Sequence, residues 1–160
     1  MTILALDSGI ERCGYAIFKH TTGEPHLETF GLLSTHKSLS LSVRLYQLRD
    51  AFDELLHKYI PDFVIMESLF FNTNKKTMLT VAQSQGALLA SCGQTNIPVE
   101  FLTPSSIKQI VTGYGNADKK QVEKMIMITM GLKTAPKPDD VVDAIACGYA
   151  YCCLHKFDNV

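Results

Sequence analysis

Two short apolar runs, TILALD at 2–7 and DFVIME at 62–67, each end on a carboxylate, Asp7 and Glu67. Runs this brief are too short for a helix and predict buried strands. The first is followed at once by a second apolar run, CGYAIFKH at 13–20, after a DSGIER turn short enough for a hairpin. HLETFGLLS at 26–34 alternates as a third strand. In 40–59, Leu41, Leu45, Leu48, Phe52, Leu55 and Leu56 recur at helical spacing, and Pro61 stops the helix. Residues 74–93 predict a helix ending at Gly93, and PVEFLT at 98–103 a fifth strand. Thr103-Pro104 supplies an N-cap and a first-turn proline for a short helix that breaks at the GYG of 113–115. Asp118 and Gln121 form a capping-box pattern opening a helix over 118–131, and 139–153 is apolar nearly all round, as a buried helix is. Three strands followed by strands alternating with helices predict an α/β fold. Its mixed sheet joins an antiparallel meander to parallel strands.

At 160 residues the chain is expected to form one domain over 1–160. No apolar run approaches the ~18 residues of a membrane span, and no basic segment precedes an apolar core at the N-terminus. A cytoplasmic protein is expected. The five cysteines (13, 92, 147, 152 and 153) are odd in number and include no C-x-x-C pair, so neither a disulfide framework nor a zinc site is indicated. A net charge of −1 does not mark a nucleic-acid binder, and such binding requires charge sorted into patches.

Sites in open α/β sheets form outside the carboxyl ends of the strands, where Asp7 and Glu67 converge if their strands are neighbours. Asp139, Asp140 and Asp143 add a third group of acids. The helix dipole accounts for acids in a first turn without any function. Asp143 resists that account: it lies within VVDAIA, shares a helix face with Asp140, and needs a cation if buried. Carboxylates without a matching His or Cys cluster suit Mg²⁺ or Mn²⁺ rather than zinc. Converging acids of this kind hold two metals ~3.5–4 Å apart in phosphodiester-cleaving nucleases and polymerases.

The set LALDSGIxxCGYAI, FVIMESLFF, AQSQGALL, PSSIKQIVTGYGNADKKQV and PDDVVDAIA resembles the RuvC family of bacterial Holliday junction resolvases in order and spacing over essentially the whole chain. The resemblance implies the ribonuclease H-like fold, a mixed five-stranded sheet flanked by helices on both faces. It implies an endonuclease that nicks two opposed strands of four-way junction DNA with two Mg²⁺ per site, Mn²⁺ substituting. By position the catalytic and metal-binding acids are Asp7, Glu67, Asp140 and Asp143, with Lys119 a further catalytic residue. The spacing of three selects Asp140 over Asp139. Ser8 stands where the family usually has Pro, a change expected to alter turn rigidity rather than metal binding. Gly9 is expected to let the chain turn sharply beside the metals.

Removing those four acids from 16 leaves 12 against 15 Lys and Arg, an excess of +3 on the rest of the surface. Lys75, Lys76, Lys108, Lys119 and Lys120 are candidate phosphate contacts, and Lys108 and Lys119 match family lysines. Phe70 matches the family's junction-wedging position, where an exposed aromatic stacks on an unpaired base. The resemblance also implies a homodimer paired through the small-residue helix 74–93, and a branch-migration complex of the RuvA and RuvB type as partner. The main alternative is another ribonuclease H-like nuclease, of the YqgF type, acting on structured RNA. An actin-like ATP-binding lobe needs two such lobes, for which the chain is too short. A non-catalytic junction-binding module is disfavoured by the presence of all four acids.

Overall fold

The computed structural model describes residues 1–19, 24–69 and 75–155. Its elements are β1 (Thr2–Ser8), β2 (Arg12–Lys19), β3 (His26–Ser34), α1 (Leu41–Tyr59), β4 (Phe63–Glu67), α2 (Lys75–Thr95), β5 (Val99–Leu102), α3 (Pro104–Thr112), α4 (Lys119–Thr129) and α5 (Asp139–Leu154). The sheet order is β3-β2-β1-β4-β5. β1 pairs antiparallel with β2, and β2 with β3, while β1–β4 and β4–β5 are parallel. This is the mixed sheet that the sequence predicts.

Two cores lie on the two sides of this sheet. On one side Ile3, Ala5, Ala16, Phe18 and Ile65 pack against α3, α4 and α5 through Ile107, Val111, Ile126, Ile145 and Tyr151. On the other, Leu4, Leu6, Ile17, Val64 and Met66 pack against α1 and α2 through Leu48, Phe52, Leu56, Leu88 and Cys92. Alternate residues of each strand thus serve opposite cores, as the pleat requires. α5 is buried along most of its length, which is why its sequence carries little polar periodicity. Truncating a fully buried ring such as Phe18 in this core costs about 3–5 kcal/mol.

Local signals account for most boundaries. Thr103 accepts a hydrogen bond from the Ser106 N–H and Gly113 closes α3 in the left-handed region, at φ 79°. The Asp118–Gln121 capping box is fully formed. α2 differs from expectation: it runs through Gly93 to Thr95, and the left-handed residue that follows is Asn96, at φ 55°. Leu88 and Cys92 are wholly buried against the sheet, and that packing carries the helix past a poor helix former. The five cysteines form no disulfide, as expected, and four of them are buried. Among the described residues no helix is long and apolar enough to cross a membrane.

Candidate active site

The pleat decides where the strand-end acids point. Ile3 and Ala5 face α5, so Asp7 also faces α5; Ile65 faces α5, so Glu67 does too. In the parallel ladder Leu6 lies opposite Met66, and the two acids follow that pair directly. Asp7 and Glu67 therefore leave neighbouring strands side by side.

Backbone contact brings the third segment in. Gly14 is the partner of Asp7 across the β1–β2 ladder. A Cβ on Gly14 would collide with the backbone carbonyl of Asp140, so the first turn of α5 rests directly on β2. That delivers Asp140 to Asp7, and Asp143 follows one turn later on the same face. The turn after β1 is tight: the Gly9 N–H donates to the Asp7 carbonyl at 3.2 Å. Gly9 has no positive φ, and what demands glycine there is the Arg12 carbonyl, which a Cβ would strike.

The electrostatics report crowding. Burial, then the charges of Asp143, Glu67 and Asp140, push the Asp7 carboxyl up to about 7. Burial and Asp143 raise Glu67, against the pull of Lys108 and Lys119. Burial raises Asp143 even though Lys119 holds it. Asp139, out at the rim, is lowered by its bond to Lys119. The two partners of Lys119 thus move oppositely, because Asp143 is desolvated and Asp139 is not.

Two cations enter this group. Lys119 Nζ donates to Asp139 Oδ2 at 2.8 Å and to Asp143 Oδ2 at 2.9 Å. Arg12 Nε lies 3.0 Å from Asp140 Oδ2, and its outer nitrogen 3.9 Å from Asp139. Asp140 Oδ2 is buried and forms no hydrogen bond, since the nearby guanidinium lies off its hydrogen-bond line. Among the described residues, no three His, Cys, Asp or Glu side chains converge as the ligands of one ion. Lys119 instead bonds Asp143 and Asp139, and the Arg12 guanidinium stands beside Asp140 without bonding its buried oxygen.

The donor chemistry nonetheless fits a hard divalent cation. The donors are carboxylate oxygens, one buried oxygen is orphaned, and the centre carries more negative charge than its two cations offset. Beside it lies a cleft of about 220 Å³ lined by Glu67, Lys108, Lys119, Val122 and Asp143 among others.

Asp7, Glu67, Asp140, Asp143, Lys119 and Lys108 therefore come together. Lys120 lines a different groove, with Glu123, Lys124 and Met127. Lys75 and Lys76 fall in the first turn of α2, where side chains lie outside the description, and Phe70 lies outside the described residues. Three participants escape sequence reasoning: Arg12, the bridging role of Asp139, and Gln85. Gln85 is buried on α2 and donates to Ser8 Oγ at 2.9 Å and to the Glu67 carbonyl at 2.8 Å. Its signal is a polar residue in the buried stripe of α2, three and seven positions before Leu88 and Cys92.

The family model for crossover junction endodeoxyribonuclease RuvC matches residues 3–151. The chain belongs to the RuvC family. It is similar to the crossover junction endodeoxyribonuclease RuvC of Syntrophomonas wolfei, with 41% identity over 157 residues, covering 98% of this chain and 90% of that protein. Its fold is similar to T. thermophilus RuvC in complex with Holliday junction substrate. The TM-score is 0.89 and the identity 26%, over 98% of this chain and 95% of that one. The yeast mitochondrial Holliday junction resolvase shares the fold at a TM-score of 0.64 and 16% identity, over 94% of this chain and 79% of that one. The ribonuclease H-like architecture expected from the RuvC resemblance is the one observed.

Proposed function

We propose that this chain is a structure-selective endonuclease that resolves four-way DNA junctions by paired, symmetric nicks during recombination and repair. The observation that carries this reading is the meeting of Asp7, Glu67, Asp140 and Asp143 from three distant segments, with Lys119 and Lys108 beside them. In this reading the whole of 1–160 acts as one nuclease domain in the cytoplasm.

Asp7, Glu67, Asp140 and Asp143 are the residues that would hold two Mg²⁺. Bound there, magnesium would supply Lewis-acid chemistry for a phosphodiester hydrolysis that leaves 5′-phosphate and 3′-hydroxyl ends. Lys119 bonds both Asp139 and Asp143; with a cation on Asp143 it would keep Asp139, which would hold its ammonium at the cleft for a phosphate. Lys108 on α3 draws the same phosphate toward Glu67. Arg12 leaves Asp140 for Asp139 or for a neighbouring phosphate. Phe70, Lys75, Lys76 and Lys120 are further DNA contacts in this reading.

A twofold homodimer paired through α2 presents two such sites to a junction of near-twofold symmetry. A branch-migration complex of the RuvA and RuvB type is the expected partner. The YqgF-type reading, RNA processing, is not favoured, because the RuvC family model spans nearly the whole chain. The test is a Mg²⁺-dependent nicking assay on a mobile four-way junction, with duplex DNA and structured RNA as competitors. Paired nicks at symmetric positions support the proposal; equal cleavage of duplex, or preference for RNA, overturns it.

A further inference from the structure

The β1–β4 ladder ends at Leu6 and Met66, one residue short of the two acids it carries. What joins the strands beyond that point is a side chain from the opposite face. Ser8 follows the pleat to the α2 side, where it is 3% exposed, and Gln85 is 6% exposed. An amide NH₂ has two donor hydrogens. The Gln85 Nε2 gives one to Ser8 Oγ, at 2.9 Å, and the other to the Glu67 carbonyl, at 2.8 Å. One acceptor belongs to the residue after Asp7, the other to Glu67 itself. A planar, buried group thus ties the last residue of β1 to the last residue of β4, with the sheet between it and the acids.

We propose that Gln85, acting with Ser8, is a positioning residue that sets the separation of Asp7 and Glu67 and so the affinity of the carboxylate centre for divalent cations. Gln85 touches neither DNA nor cation; it acts through the two strand ends. The inference rests on the reading of Asp7 and Glu67 as metal ligands. Partners one step behind such ligands typically change metal affinity or activity by about 10- to 100-fold when removed.

The experiment uses the full chain with Gln85→Met, which keeps the volume and removes both donors, and with Ser8→Ala, which removes one acceptor. Mn²⁺ affinity is read from the free-ion electron paramagnetic resonance signal, beside metal-free junction affinity, melting temperature, and kcat and KM for nicking. Gln85→Met is expected to weaken Mn²⁺ binding about 10-fold and lower kcat to a similar degree, with KM and metal-free junction affinity unchanged. Ser8→Ala is expected to move Mn²⁺ affinity the same way by about 3-fold. A variant that melts earlier but binds Mn²⁺ like the parent has lost only packing, and overturns the proposal. If Gln85→Met does not fold, Ser8→Ala decides, and unchanged Mn²⁺ affinity in it is equally fatal. A parent protein that takes up no Mn²⁺ sinks the metal-site reading itself, a result distinct from either variant outcome.

Discussion

Asp7 and Asp62 stand at opposite ends of the same pair of strands and illustrate two uses of a carboxylate. At the entry end, Asp62 Oδ2 accepts the Thr2 N–H at 2.7 Å, while the Asp62 N–H donates to the Thr2 carbonyl at 2.8 Å. Lys19 donates to Thr2 Oγ1 at 2.8 Å alongside. These bonds tie the start of β1 to the start of β4. At the exit end, Asp7 is buried beside three other acids and its carboxyl is pushed up to about 7. One end spends a carboxylate on stability, and the other concentrates charge that the fold alone does not balance. The sheet thus builds its frame at the entry end and keeps its chemistry at the exit end.

Activity separates the two carboxylates most. Asp7→Asn is expected to cut junction nicking by about 10³-fold or more while leaving junction affinity intact, and Asp62→Asn to leave the rate within about 3-fold. Quantified product on a synthetic junction checks both. Lys119→Met comes next, with nicking down about 10²-fold and junction binding weakened far less, as for loss of one preorganised charge at the phosphate.

Stability should then move in opposite directions at the two ends. The folded carboxyl of Asp7 lies above its ordinary value of 3.8, so without metal the native state holds more protons than the unfolded chain between about pH 4 and 7. Stability from this group is intact at the acid side of that window and falls as pH rises through it. In EDTA, Asp7→Asn should therefore stabilise the protein at pH 8 by on the order of 2 kcal/mol and flatten this pH dependence. Glu67 and Asp143, also raised, contribute with the same sign. Asp62→Ala should destabilise by about 1 kcal/mol at the same pH. Denaturant melts at pH 5 and pH 8 check the pair, and a destabilised Asp7→Asn at pH 8 would end the contrast. The smallest effect is expected from Asp139→Asn, about 3- to 5-fold in kcat, because the Asp139–Lys119 bond is exposed and an amide oxygen at that position still accepts from the ammonium. Rates at saturating junction measure it.

Much of this was legible in the chain. Apolar parity in TILALD and FVIME set the faces on which Asp7 and Glu67 emerge, and the three-residue step from Asp140 to Asp143 set a shared helix face. The capping box at Asp118 announced the helix that presents Lys119. What stayed hidden depends on relations across the sheet. Gln85 and Ser8 are 77 positions apart, and their bond follows only from knowing that α2 crosses beneath the end of β1. Ser8 was expected to matter through turn rigidity; its buried hydroxyl instead accepts from Gln85. Arg12 looked like a turn residue because nothing local links it to Asp140, which is 128 positions away. Gly93 looked like a stop because propensity was weighed without the burial of Leu88 and Cys92.

Where β2 meets α5 at Gly14, main chain presses on main chain with no side chain interposed. Such a contact has no rotamers with which to accommodate added bulk. The distance between acids encoded some 130 positions apart is thus gauged by the thickness of bare polypeptide. One extra methyl at that point would act as a wedge, prising the third carboxylate away from the first without altering a single charge.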